Sequence, residues 1–105
     1  MQTITAIELK TKLDTGEKPI LLDVREAWEY ETCHIDGSIN ISMSNVQRIL
    51  DEIKPDDETV VICHHGMRSF QVASYLEGNG YGNIANLEGG VDAWAKSVEP
   101  DMAQY

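Results

Sequence analysis

At 105 residues the chain is long enough for one core and too short for two. Hydrophobic residues make up 42% and charged residues 25%, which excludes a disordered polymer, and no apolar run approaches the ~18 residues of a membrane span. Eighteen acidic against eight basic residues give a formal charge of −10, which repels phosphate backbones and argues against nucleic acid as a partner.

The opening "MQTITAIELK" lacks the basic start and continuous apolar stretch of a secretory signal. Two cysteines are too few for a disulfide scaffold. A soluble, reduced, cytoplasmic protein is therefore expected. Thr5 followed by Glu8 fits a capping box, and Ala6, Leu9 and Leu13 give a short helix closed near Gly16. "PILLDV" is a continuous apolar run behind Pro19, suited to a strand covered on both faces. "REAWEYETC" predicts a short helix and "SINI" a short strand. Val46, Ile49, Leu50 and Ile53 follow the spacing of an amphipathic helix stopped by Pro55.

"TVVIC" predicts the strongest strand, with Val60, Val61 and Ile62 between polar turns. Phe70, Val72, Ala73 and Leu76 then describe a helix ending at Gly78 or Gly80. "NIANL" predicts a last strand, and Val91, Trp94, Ala95 and Val98 a final helix. No repeat or linker divides the chain, so residues 1–105 form a single domain, with a polar tail after about residue 98 expected to fray. Strands alternating with helices predict an α/β fold, a parallel sheet with helices on both faces. Ligands of such sheets collect beyond the carboxyl ends of the strands. Cys63 stands at one of those ends, with a helix right after it.

The run "CHHGMRS" joins that strand to that helix. A loop of this kind turns its backbone amides inward as a nest for an anion, and the helix N-terminus adds unpaired amides and partial positive charge. Cys63 at the base of the loop is favoured as thiolate and nucleophile. Gly66 permits a positive φ. His64 and His65 either steer a substrate or are ordinary exposed imidazoles, and Met67 is a flexible wall. Between Lys54 and Lys96 the only basic residue is Arg68, so it is expected to face an anionic partner. Cysteine also packs inertly in cores, which is the ordinary reading of Cys33. "CHH" supplies soft and imidazole donors, but neither C-x₂₋₄-C nor H-x₃₋₅-H spacing occurs, so no metal is expected.

Three segments, "LLDVREAWEYETCHIDGSINI", "CHHGMRS" and "NLEGGVDAW", occur in an order and spacing that resembles the rhodanese-like sulfurtransferases, single-domain type, over nearly the whole chain. The resemblance implies about five parallel strands, with Cys63 as the sulfur-carrying nucleophile and the amides of His64 to Arg68 facing the substrate. It implies that His64, His65, Gly66, Met67 and Arg68 bind substrate, while Asp23, Arg25 and Ser69 give structural support. Gly89, Gly90 and Trp94 are architectural on the same ground. Many relatives carry lysine or arginine immediately after the cysteine, where this chain has His64.

The implied activity is thiosulfate sulfurtransferase. A small anionic donor such as thiosulfate passes its sulfane sulfur to Cys63, and cyanide, a thiol or a protein takes it from the persulfide. No cofactor and no membrane enter this scheme. A cysteine phosphatase or arsenate reductase is the rival enzyme, but its C-x₅-R loop would put arginine at position 69, where this chain has Ser69 after Arg68. The tighter loop suits one bound sulfur better than a tetrahedral oxyanion. A non-enzymatic redox-sensing interaction domain, using an exposed thiol, is the third reading.

Overall fold

Residues 1–105 are described by a computed structural model. The capping box forms as expected: the Glu8 amide donates to Thr5 Oγ1 at 3.1 Å, and the Thr5 amide donates to Glu8 Oε1 at 2.8 Å. It starts α1, Ala6–Asp14, which follows a short strand β1, Gln2–Ile4. Then come β2 (Ile20–Asp23), α2 (Ala27–Thr32), β3 (Ile39–Asn40), a 3₁₀ turn (Met43–Asn45) and α3 (Val46–Glu52). The last part of the chain holds β4 (Thr59–Ile62), α4 (Met67–Gly78), β5 (Ile84–Leu87) and α5 (Gly90–Ser97).

All strand pairings are parallel, in the order β1-β5-β4-β2-β3, so β4 lies at the centre. Its residues alternate across the sheet. Val61 packs with Leu22, Val72 and Leu76 on the face covered by α3 and α4. Val60 and Ile62 pack with Leu9, Leu21 and Trp94 on the face covered by α1 and α5. Burial on both faces is why these strands carry continuous apolar runs rather than alternation. The register places Asp23 of β2 beside Ile62, and Asn86 of β5 beside Val61. The carboxyl end of the sheet therefore gathers Asp23, Cys63 and Asn86.

Two features depart from expectation. β1 is absent from the pattern of the sequence, because it is a short edge strand whose Gln2 and Thr3 are exposed. The tail after residue 98 turns back at its end. Tyr105 returns to the sheet, its hydroxyl accepting from Arg25 Nη1 at 2.9 Å and donating to Glu29 Oε2 at 2.8 Å. An aromatic ring with a polar tip gains both burial and partners there.

Candidate active site

β4 ends at Ile62, and the chain turns through Cys63 to Gly66, whose φ of 101° suits a residue without a Cβ. This turn folds the Gly66 amide back onto the sulfur, and it donates to Cys63 Sγ at 3.0 Å. Ser69, in the first turn of α4, lies with Oγ 3.2 Å from the same sulfur. Ser69 Oγ is also bonded to Asn86 Oδ1, and Asn86 Nδ2 donates to the Gly66 carbonyl at 3.2 Å, which fixes the amide's orientation. A hydroxyl has one proton to give. With a neutral thiol, S–H donates to Ser69, and Ser69 donates to Asn86. With a thiolate, Ser69 turns its proton to sulfur.

The loop is held from outside by its carbonyls. The amides of Val91 and Asp92, at the start of α5, donate to the carbonyls of Cys63 and His64 at 2.8 and 3.0 Å. A Cβ on Gly90 would stand 2.3 Å from the Cys63 carbonyl oxygen, so only glycine allows this approach. The amides of His64, His65, Met67 and Arg68 find no acceptor within the protein. Those donors are free for an anion.

Cys63 is 1% exposed and belongs to the core on the α3/α4 face, although its sulfur keeps polar partners. Arg68 meets the anionic partner expected of it within the chain. Its Nη1 and Nη2 grip Glu29 Oε1 and Oε2 at 2.6 and 2.8 Å, the bidentate geometry that guanidinium and carboxylate favour. Arg68 holds the Glu29 carboxyl down to about 2 against the opposing effect of burial, with the Glu26 amide and Tyr105 hydroxyl assisting. Glu29 in turn raises Arg68.

Asp23 and Arg25 are both wholly buried. Arg25 Nε and Nη2 donate to the Asp23 carboxylate at 2.7–3.1 Å, and its remaining donors reach the carbonyls of Glu29 and Cys33 and the Tyr105 hydroxyl. Burial works against the Arg25 charge, but the bonds to Asp23 and Tyr105 outweigh it. This pair ties β2 to α2 and to the chain end. Burial, with His65 beside it, lowers His64 toward its neutral form. The His64 ring lies 3.9 Å from that of His65 and 4.3 Å from that of Tyr105. His65 is exposed, with Nε2 4.0 Å from Asp92 Oδ2, and Met67 is 75% exposed.

One group of side chains could approach a metal: ligand atoms of His64, His65 and Asp92 lie within 4.8 Å of one another. Asp92 already has Lys96 Nζ at 3.1 Å, a cation that competes with an ion there. Glu29, Asn86 and Tyr105 were missed as site residues in the sequence. Asn86 carried a signal, since asparagine is depleted in strand interiors. Glu29 and Tyr105 meet the loop only through the fold.

A five-stranded parallel sheet, with a cysteine-led turn at the end of its central strand, defines a class of small α/β domains that present a sulfur among backbone donors. The chain belongs to that class under the description "Rhodanese-like domain", which matches residues 5–97. It is similar to the putative sulfurtransferase YtwF of Bacillus subtilis, at 34% identity over 100 residues, covering 95% of this chain and 96% of that protein. It is 38% identical over 105 residues to the probable adenylyltransferase/sulfurtransferase MoeZ of Mycobacterium tuberculosis, covering 98% of this chain but only 27% of that longer protein. The crystal structure of a rhodanese-like domain protein from Staphylococcus aureus superposes with a TM-score of 0.83 at 34% identity, covering 90% of this chain and 91% of that one. The family is thus one with named sulfurtransferases among its members. No helix is long and apolar enough to cross a membrane.

Proposed function

We propose that the protein is a sulfurtransferase that carries sulfur as a persulfide on Cys63. The observation behind this reading is the sulfur's setting, with the Gly66 amide donating to Sγ at 3.0 Å and Ser69 Oγ 3.2 Å away. A sulfur anion can accept from both, from the Gly66 amide directly and from Ser69 once it turns its proton to sulfur. The thiolate attacks the outer sulfur of a sulfane donor, of which thiosulfate is the simplest. A new S–S bond forms to Cys63, the old S–S bond breaks, and its electron pair leaves on sulfite. The terminal persulfide anion lies within reach of the unpaired loop amides and of the α4 N-terminus, which supply preorganised stabilisation. A thiol, cyanide or a protein acceptor then attacks the terminal sulfur and returns Cys63 to thiolate. Atoms and charge balance with donor and acceptor alone.

The rival readings separate on particular points. Arg68, one position short of the phosphatase arrangement, is engaged by Glu29 rather than left for an oxyanion. A redox sensor needs the same approach to Cys63 as a sulfur donor does, so repeated turnover with a sulfane donor and an acceptor is what separates that reading from a transferase. Intact-protein mass spectrometry after incubation with a set of sulfane donors tests the proposal. Wild type is expected to gain one sulfur atom and lose it to reductant, and Cys63→Ser is expected to gain none while remaining folded. Sulfur retained by Cys63→Ser would move the carrier to Cys33.

A further inference from the structure

We infer that His64, His65 and Asp92 form a binding site for a borderline divalent metal ion, with zinc as its representative, and that the bound ion latches the loop over Cys63. The inference stands apart from the persulfide reading, because it concerns access to the thiol whatever that thiol carries.

The ligands are its first support. Of the three histidines, His34 uses ring Nδ1 to reach the Tyr30 carbonyl at 2.8 Å, whereas His64 and His65 keep their ring nitrogens free of hydrogen bonds. One ligand atom from each of His64, His65 and Asp92 lies within 4.8 Å of the other two, and His65 Nε2 is 4.0 Å from Asp92 Oδ2. Ligands about 2.1 Å from a tetrahedral ion stand about 3.4 Å apart, so a small swing of the exposed His65 side chain completes the set. Two imidazoles with a carboxylate suit zinc and its neighbours in the first transition row, and suit magnesium or calcium poorly. Asp92 joins from α5, so no ligand spacing shows in the sequence. The chain's charge of −10 draws cations.

The competitor is Lys96, whose Nζ is 3.1 Å from Asp92 Oδ2. Its side chain is 71% exposed, and a surface pair of this i,i+4 kind shifts an equilibrium only about twofold. A dication with three ligands displaces it.

Position gives the ion its consequence. Cys63 is 1% exposed, so a reagent meets its sulfur only when the turn after β4 opens. The amides of Val91 and Asp92 already hold that turn through the carbonyls of Cys63 and His64. An ion shared by two loop imidazoles and an α5 carboxylate ties the same two segments a second time. Because the ion grips only the closed arrangement, opening falls by mass action, about tenfold at zinc ten times its dissociation constant.

Titration calorimetry of the reduced protein with zinc chloride tests the site. One ion per chain is expected, with binding weakened more than about tenfold by His65→Ala and by Asp92→Asn, and strengthened about twofold by Lys96→Ala. No binding, or binding that neither His65→Ala nor Asp92→Asn weakens, would overturn the site. Cobalt(II) in place of zinc separates these ligands from the thiols: a strong thiolate-to-cobalt absorption band, lost in Cys63→Ser, would put the ion on sulfur and overturn it as well. Iodoacetamide alkylation of Cys63, followed by peptide mass spectrometry, tests the latch without any sulfur donor. Zinc at ten times its dissociation constant is expected to slow alkylation about tenfold in wild type and less than about twofold in His65→Ala at the same concentration. An unchanged wild-type rate, or equal slowing in His65→Ala, would overturn the latch.

Discussion

At Cys63 the proposed sulfur chemistry sets burial against charge. A sulfur anion in a core is unfavourable unless donors surround it, and here the donors come from its own loop and from Ser69. Ser69→Ala removes the side-chain donor and leaves Asn86 Oδ1 without the hydroxyl it meets. We expect this variant to lose about 1–3 kcal/mol of stability, the range for an orphaned buried acceptor, and to load sulfur more slowly. Urea unfolding and single-turnover loading would measure the two effects separately. Much of this residue-level picture was legible: Cys63, Gly66 and the strand-to-helix turn follow from "VVICHHGMRS". The partner of Arg68 was not. An isolated arginine announced an anionic partner, but nothing local distinguishes Glu29 from the other seventeen acidic residues. Thirty-nine positions of chain separate the pair, and only the fold closes that distance.

Between elements, the Glu29–Arg68 bridge fastens α2 to α4 across the mouth of the loop. Its carboxylate is buried, so its ionisation is coupled to folding. The folded-state pKa of about 2 lies below the ordinary 4.5. The bridge therefore contributes fully above the unfolded value, and the contribution is lost as pH falls through the folded one. Denaturant midpoints are expected to hold steady down to about pH 5 and then drop toward pH 2, with Glu29→Gln flattening that drop. The helices and buried strands at this scale were readable from periodicity, because amphipathic spacing and apolar runs are imposed by the core. β1 was not, since an edge strand of three residues with two exposed side chains carries neither signature.

For the molecule as a whole, the end of the chain is part of the site. Tyr105 stacks on His64, meets the edge of Trp28 with ring centres 5.4 Å apart, and bridges Arg25 to Glu29. Composition suggested a loose polar tail because the anchoring group is one residue whose partners lie some 40 to 80 positions upstream. Tyr105→Phe keeps the ring and deletes both hydroxyl bonds. It is expected to cost about 1 kcal/mol, seen as a lower thermal midpoint, because Arg25 and Glu29 retain their other partners.

The attachment of α5 to the carbonyls of Cys63 and His64 turns two distant amide protons into a gauge of the turn that carries Cys63. Val91 and Asp92 exchange with deuterium only when that turn lets go of them. Loading sulfur onto Cys63 should draw the turn tighter around its new anion, so both protons should exchange more slowly in the persulfidated protein than in the resting one. Faster exchange after loading would mean that the turn must loosen to house the second sulfur.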